Sequence, residues 1–257
     1  VGLSLANWIV DGDPGFDIWA MDISRFGDYA SMAFTNARVR ENYSRRFSIR
    51  YPNEELTAAR PFLTTPVYER QKAAGAQFGA TAGLETPLWF APEGLRDDFS
   101  WRRSTDFQYV AAECSAVREG VGLTDISGFA KYSIYGKGAR DWLEKILAAK
   151  IPPKGRMTLA PMLKEDGKVI GDFSLSNINE RRFLIIGSGA AESYHMRWLL
   201  DHLPDDGSVD LVSHNMELVG LSLAGPKSRS VLQACTAHDI SHGAMKFMSV
   251  REIDIGM

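Results

Sequence analysis

The chain has 257 residues, of which 45% are hydrophobic, and a formal net charge of −3. This composition is typical of a globular protein that buries one large core or two smaller ones. The small negative charge disfavours nucleic acid and anionic lipid as partners, and no apolar run approaches the roughly 20 residues that cross a bilayer. We therefore expect a soluble intracellular protein with neither a nucleic acid nor a membrane as partner.

The N-terminal quarter alternates helical and irregular patterns. Apolar residues recur at helical spacing over residues 1–12, which predicts an amphipathic helix. After a turn at "DPGF", residues 17–27 read as a short extended stretch. Residues 32–47, "MAFTNARVRENYSRRF", predict a second helix, and the prolines and polar residues of 51–61 predict a connector.

These patterns divide the chain into three parts. Residues 1–27 are too short for a domain, residues 28–63 read as a bridging segment, and residues 64–257 carry the strands and helices of the main domain. The chain starts with Val1 inside a helical pattern, and it ends in the strand-like stretch "REIDIGM", residues 251–257. We therefore expect a segment of a longer polypeptide.

The main domain mixes strands and helices without a strict βαβ repeat, so its predicted class is α+β. Helices are predicted in "DFQYVAAECSAVREGVG" (106–122), "GARDWLEKILAA" (138–149) and "AAESYHMRWLLDHL" (190–203), and strands in "FAKYSIYG" (129–136) and "RRFLIIGSG" (181–189). In the helix predicted over residues 138–149, the side chains predicted to face inward are those of Trp142, Leu143, Ile146 and Leu147. The stretch "ELVGLSLAGPKSRSVLQAC" (217–235) predicts a strand, a turn and a helix with Pro226 at its first position.

The cysteines and histidines give little evidence of a metal site. Cys114 and Cys235 lie far apart, without a C-x-x-C pair or a Cys/His cluster, which argues against a zinc ribbon or a disulfide framework. We expect both to be reduced thiols in the core. His238 and His242 are four residues apart but have no third ligand nearby, so no metal site is predicted.

The strand "GKVIGDFSL", residues 167–175, contains an aspartate, which strands disfavour. Strict alternation places Val169, Phe173 and Leu175 on one face, and Ile170, Asp172 and Ser174 on the other. The carboxylate of Asp172 is either solvated or faces a cleft, where it could bind an amine and stabilise a developing positive charge. The residue pattern alone leaves both readings open.

Phosphate-binding signatures are weak. The sequence has no G-x-G-x-x-G between a strand and a helix and no G-x-x-x-x-G-K-[ST], which disfavours a self-contained dinucleotide or P-loop site. The stretch "GSGAAESYH", residues 187–195, follows a strand and opens a helix. Its backbone amides could hold an anion or a ring substituent, although an ordinary turn between a strand and a helix explains it as well.

A family resemblance emerges from the order of four blocks. They are "TPVYERQKAAGAQFGATAGLETPLWF" (65–90), "REGVGLTDISGFAKYSIYG" (118–136), "APMLKEDGKVIGDFSL" (160–175) and "GLSLAGPKSRSVL" (220–232). In this order they resemble the glycine-cleavage T-protein, or aminomethyltransferase, over nearly all of residues 64–257. The resemblance implies a T-protein-like folate-binding domain that lacks the C-terminal part of the family's fold.

The first 63 residues, called the leader below, resemble a different group. Residues 2–27 look like the last helix and strand of the flavin domain in dimethylglycine and sarcosine dehydrogenases, and residues 51–68 look like the connector before their folate domain. The implied architecture is the C-terminal end of a flavin domain, a bridging segment and the folate domain. The implied cofactors are tetrahydrofolate, bound by this chain, and FAD, bound mainly by a domain upstream of it.

The resemblance also implies an activity and site residues. In these dehydrogenases the flavin oxidises an N-methyl amine, and tetrahydrofolate captures the one-carbon unit as 5,10-methylenetetrahydrofolate. By motif position, Asp172 is the implied catalytic residue beside the reactive amine of the folate. The residues at matching positions around the folate ring are Phe129, Leu159 and Ile185 as apolar walls, and Gly187, Ser188 and Gly189 as backbone contacts. The implied partners are a small-molecule amine and folate.

Three positions depart from the T-protein pattern. Gly171 stands where T-proteins have a first aspartate, Leu159 where they have a tyrosine, and Gly187 where they have an asparagine.

Three alternative functions stay open: a folate-dependent aminomethyltransferase or demethylase of another substrate, a non-catalytic folate-binding protein, and a structural domain with a solvated Asp172. The expected location is the cytoplasm, or the mitochondrial matrix in a eukaryote.

Overall fold

The computed structural model describes residues 1–96 and 98–256. The helices are α1 (Gly2–Asp11), α2 (Met32–Ser44), α3 (Tyr68–Ala73), α4 (Phe107–Glu119), α5 (Ala139–Ile146), α6 (Glu192–Asp201) and α7 (Ser228–Ala234). The strands are β1 (Ala76–Thr81), β2 (Leu84–Phe90), β3 (Gly122–Asp125), β4 (Ala130–Tyr135), β5 (Arg156–Leu163), β6 (Val169–Asn179), β7 (Arg182–Gly187), β8 (Asp210–Ser213) and β9 (Leu221–Ala224). None of the helices in these ranges is long and apolar enough to cross a membrane.

The centre of the fold is a five-stranded antiparallel sheet in the order β5-β6-β7-β4-β8. One face packs on α5 and α6 and forms the core, because alternate residues of each strand point to that side. The four apolar residues of the α5 segment that were predicted to face inward are buried there, so that prediction is confirmed. Across the described residues, strands and helices follow one another without a parallel βαβ unit, as the α+β class requires.

Two smaller sheets flank the central one. β1 and β2 form an antiparallel hairpin, and β3 pairs with β9. The bridging segment is fixed to the hairpin by Arg60, whose guanidinium donates to Glu85 at 2.8 Å through Nε and at 2.6 Å through Nη2. Arg60 also donates to the carbonyl of Phe78 at 2.7 Å. The bridging segment and the hairpin are therefore joined by a charged, largely buried contact.

Residues 17–19 of the leader are fixed to the main domain through α6. Trp19 stacks on Tyr194 with 5.0 Å between ring centroids, and the Arg197 guanidinium lies 5.6 Å from each ring. Asp17 accepts hydrogen bonds from the Tyr194 hydroxyl and from Lys164 Nζ at 3.0 Å. Burial raises the pKa of Asp17, but these bonds and one from the Trp19 amide outweigh it and lower the pKa to about 2. The leader thus packs beside α6.

Strand β6 departs from strict alternation. Gly171 pairs with Met162 and Val169 pairs with Leu163, so Ile170 is an extra residue, a β-bulge. Phe173 and Leu175 are buried on the core face and Asp172 is exposed on the other, as predicted. The bulge reverses the faces before it: Ile170 is buried and Val169 is 65% exposed. The predicted placement of those two residues is therefore wrong.

Four further predictions are corrected by the structure. Cys114 and Cys235 are exposed thiols, because the helices that carry or precede them bury only one side. Residues 17–27 form two 3-10 turns, Trp19–Met21 and Ile23–Arg25. The Asp17 side chain accepts a hydrogen bond from the Trp19 amide, which favours a turn over an extended chain.

The other two corrections concern the C-terminal part of the chain. Pro226 precedes α7, which begins at Ser228. Residues 251–256 form no strand, and the last residue of that predicted strand, Met257, lies outside the described residues.

Candidate functional site

A cleft of about 1540 Å³ opens on the face of the central sheet opposite the core. Its walls are the β1–β2 hairpin, the loop before β4, the start of α6 and residues 25–29 of the leader. Six of the seven residues predicted from the family resemblance line it, namely Phe129, Leu159, Asp172, Gly187, Ser188 and Gly189. Residues that are far apart in sequence therefore meet at one place.

The floor of the cleft is formed by neighbouring strands in register. Leu159 pairs with Ser174, which pairs with Ile186, so the three side chains share a face with Asp172. Leu159 is 65% exposed although it is large and apolar. Within the part of the chain that the structure describes, the carboxylate of Asp172 accepts no hydrogen bond and forms no ion pair, which leaves it available to a ligand.

Ile185 is not in the cleft, contrary to the prediction. Its side chain is fully buried in the core, on the opposite face of β7. The alternation of side chains along a strand makes its neighbour Ile186 the residue that lines the cleft. The apolar wall from β7 is therefore shifted by one residue.

A buried lysine positions the loop that carries Phe129. Lys131 Nζ donates to the carbonyls of Ser127 and Phe129, both at 2.7 Å. Burial lowers the pKa of Lys131, while the nearby carboxylates of Glu192 and Asp125 oppose this effect. Lys131 was not recognised in the sequence, although it is the charged residue of β4, Ala130–Tyr135.

Asp125 holds the start of the main domain against the same loop. Its carboxylate accepts hydrogen bonds from the Thr65 hydroxyl at 2.7 Å, Gln71 at 3.2 Å and the Ser127 amide at 2.9 Å. Burial raises the pKa of Asp125, but these bonds outweigh it and lower the pKa below its usual value. Asp125 therefore stays ionised and organises one side of the cleft.

Glu192, the first residue of α6, organises the opposite side. Its carboxylate accepts hydrogen bonds from the Ser213 hydroxyl and from the Asn215 amide, the latter at 2.8 and 3.0 Å with the amide nitrogen turned toward it. An acidic residue at the start of a helix is favoured by the helix dipole. The carboxylate of Glu192 thus has protein partners, whereas that of Asp172 has none among the described residues.

The leader contributes to the cleft as well. Arg25, Gly27, Asp28 and Tyr29 line it. The Tyr29 ring packs against the turn of the β1–β2 hairpin, where a Cβ at Gly83 would lie 2.8 Å from the ring. The sequence patterns gave no sign of this contribution, because it depends on how the leader packs.

A buried histidine lies beneath Asp172, on the core side of β6. His195 is 2% exposed, and its ring centroid is 4.8 Å from that of Phe173. Burial lowers the pKa of His195 from its ordinary value of 6.5 to about 4, against a smaller opposing effect of a hydrogen bond to the backbone of Ile170. His195 is therefore neutral at physiological pH.

This burial predicts a pH dependence of stability. Between about pH 6.5 and pH 4 the unfolded chain binds a proton at His195 that the folded protein does not, so the free energy of unfolding falls as the pH is lowered. We expect a loss of about 2 kcal/mol between about pH 7 and pH 5. Urea unfolding at the two pH values measures it, and His195→Gln should remove most of the dependence. An equal pH dependence in the variant would refute the assignment.

The chain belongs to the GCVT N-terminal domain family, whose model matches residues 67–257, and residues 11–65 match the FAD dependent oxidoreductase central domain. It is similar to human mitochondrial dimethylglycine dehydrogenase, with 31% identity over 99% of this chain and 30% of that protein. A second relative is the 4-methylaminobutanoate oxidase (formaldehyde-forming) of Paenarthrobacter nicotinovorans, 28% identical over 99% of this chain and 31% of that protein. The resemblance to the dimethylglycine dehydrogenase family is thus confirmed.

The fold is also found in a solved structure. The crystal structure of the glycine cleavage system aminomethyltransferase T from Bartonella henselae superposes with a TM-score of 0.60 at 24% identity, covering 72% of this chain and 46% of that one. The predicted α+β, T-protein-like fold is therefore confirmed. The chain spans about 30% of the length of the curated relatives it matches. The predicted division of the chain into three parts, with boundaries after residues 27 and 63, stays a prediction.

Proposed function

We propose that this chain binds tetrahydrofolate in the cleft and serves an FAD-dependent N-methyl amine dehydrogenase by capturing the one-carbon unit as 5,10-methylenetetrahydrofolate. The observation that carries the proposal is the floor of the cleft, where the carboxylate of Asp172, which has no partner among the described residues, lies among exposed apolar side chains. Dimethylglycine, sarcosine or a related amine is the proposed substrate.

The residues present suit a folate ring. Phe129 and Leu159 offer apolar surface to a flat ring, and the backbone from Gly187 to Gly189 lines the cleft without a bulky side chain. A pocket of mainly apolar walls with few polar anchors is the usual form of a small-molecule site. When bound, tetrahydrofolate would supply the nucleophilic amine that accepts the carbon.

The proposed role of Asp172 follows from its surroundings. A carboxylate without a protein partner among the described residues can accept a hydrogen bond from a ligand amine and stabilise positive charge that develops there. Lys131 and Asp125 hold the loop of Phe129 in place, so the apolar wall keeps its distance from the floor. This chain has no G-x-G-x-x-G turn, and FAD is proposed to be bound mainly outside it.

A charge placed on the apolar floor should weaken folate binding. We expect Leu159→Asp to raise the dissociation constant for tetrahydrofolate at least about tenfold, because a carboxylate must then be desolvated against the ring. Calorimetric titration measures it. Val169→Asp is the matched control, since Val169 is also 65% exposed on the same sheet but lies outside the cleft lining.

The titration, together with an assay of carbon transfer, separates the alternative functions. Equal affinities of the two variants, or no binding by the unchanged chain, would overturn the proposed folate site and favour a structural domain. Folate binding without any transfer of a carbon unit would favour the non-catalytic folate-binding protein. Transfer from an amine other than dimethylglycine or sarcosine would favour the aminomethyltransferase or demethylase of another substrate.

A further inference from the structure

The bulge in β6 lies directly before Asp172. The extra residue Ile170 turns into the core, and the following residues resume alternation with Gly171 on the core face and Asp172 on the cleft face. The buried side chains of Phe173 and Leu175 keep Asp172 on the cleft face, while the bend and twist of the bulge set the position of the backbone that leads into Asp172. Loss of the bulge would therefore displace the Asp172 carboxylate within the cleft.

The space beneath Gly171 is filled by two rings. A Cβ at Gly171 would lie 2.7 Å from atoms of the Phe173 ring and 2.8 Å from His195 Nε2. Such distances are shorter than any ordinary contact, so the two rings need a glycine there. T-proteins, by the resemblance described above, have an aspartate at this position, and in this chain the imidazole of His195 takes up the room.

His195 lies between the bulge and Tyr132. Its Nε2 would lie 2.8 Å from a Cβ at Gly171, and the backbone of Ile170, the bulged residue, is near enough to the ring to oppose the effect of burial on its pKa. Nδ1 lies 3.4 Å from the hydroxyl of Tyr132. A buried polar ring that loses its hydrogen-bond partners destabilises the fold, so the imidazole and the bulge stabilise each other.

We propose that His195 is a positioning residue for Asp172: through its contacts with Gly171 and the backbone of Ile170, it fixes the bulge and so the exact position of the Asp172 carboxylate in the cleft. The inference rests on the proposed function, because it assigns to His195 an effect on folate chemistry that passes through Asp172. His195 itself lies on the core side of the sheet and does not line the cleft.

The test uses the natural full-length gene product and the rate of one-carbon transfer to tetrahydrofolate in a single turnover. We expect His195→Leu to lower this rate about a hundredfold, the cost of misplacing a reacting group by about 1 Å, with little change in tetrahydrofolate affinity. His195→Gln keeps a side-chain donor and should retain much more of the rate than His195→Leu. His242→Leu, at an exposed histidine, should leave the rate unchanged.

A double variant separates positioning from a general structural effect. Because His195 acts through Asp172, His195→Leu should cause no further loss when Asp172 is already alanine. A full additional loss in that background, or a normal rate in His195→Leu, would overturn the positioning role alone. If Asp172→Ala itself has no effect, the proposed function of Asp172 fails, and the role of His195 fails with it.

A second variant covers the case in which His195→Leu does not fold. Gly171→Ala introduces a methyl group against the same two rings, and Gly243→Ala is its control, since the added Cβ there meets only the Ser241 side chain at 3.8 Å. We expect Gly171→Ala to lower the transfer rate and to be non-additive with Asp172→Ala. A transfer rate in Gly171→Ala equal to that of Gly243→Ala would overturn the proposal.

Discussion

Replacing Asp172 with alanine is expected to lower one-carbon transfer to tetrahydrofolate about a hundredfold or more, which is the usual contribution of a positioned general acid or base. Amine oxidation by the flavin should stay near normal, because Asp172 lies in the proposed folate cleft. The two rates are measured separately in the natural full-length gene product: flavin reduction by absorbance, and carbon transfer by product analysis.

The control for this variant is another aspartate of the same sheet. Asp210 is exposed on β8 and lies outside the cleft lining, so Asp210→Ala should leave both rates unchanged. Asp172→Asn keeps the size of the side chain and removes its charge, and we expect nearly the full loss. An equal fall in both rates, or in neither, would reject the role assigned to Asp172.

The largest effect on stability is expected from Glu85→Ala. Glu85 is 3% exposed and Arg60 15% exposed, and the two form a bidentate ion pair. Removing the carboxylate breaks a largely buried ion pair, which typically costs about 3–5 kcal/mol, and the remaining carboxylate, that of Glu55, lies 3.8 Å from the Arg60 guanidinium and is 37% exposed. Chemical unfolding of the chain measures the loss, and Glu93→Ala, at an exposed glutamate, should change the free energy of unfolding by less than about 0.5 kcal/mol.

A double variant checks the physical cause. If the loss comes from an uncompensated charge, then Arg60→Met combined with Glu85→Leu should recover most of the stability, because apolar residues of similar volume often replace a buried ion pair without cost. A double variant as unstable as Glu85→Ala would show that the pair is needed for another reason. Since Glu85 lines the cleft, tetrahydrofolate affinity should also be measured.

Much of the fold was predictable because its signals are local. The helical period placed α4, α5 and α6, and alternation placed β4 and β7. The two errors have different causes. One extra residue in β6, which alternation does not report, reversed the faces of Val169 and Ile170. Ile185 was carried over from a family motif position, and the residue that lines the cleft is its neighbour Ile186.

The candidate site was predictable in part for a different reason. Asp172 was ambiguous by periodicity and was singled out only by its place in an ordered series of family blocks. The residues that support the site, Lys131, Glu192 and His195, were missed because their meaning depends on tertiary neighbours. The burial of His195 and its contact with the bulge become visible only when α6 packs on β6.

The fate of the oxidised methyl carbon tests the account most directly. The natural full-length gene product would be supplied with dimethylglycine or sarcosine labelled with carbon-13 in the N-methyl group, with and without tetrahydrofolate, and the products followed by NMR. We predict that tetrahydrofolate moves most of the label from formaldehyde into 5,10-methylenetetrahydrofolate, and that Asp172→Ala returns it to formaldehyde. Enzyme-dependent formation of the folate product that is the same in Asp172→Ala, or its absence in the unchanged protein, would contradict the account.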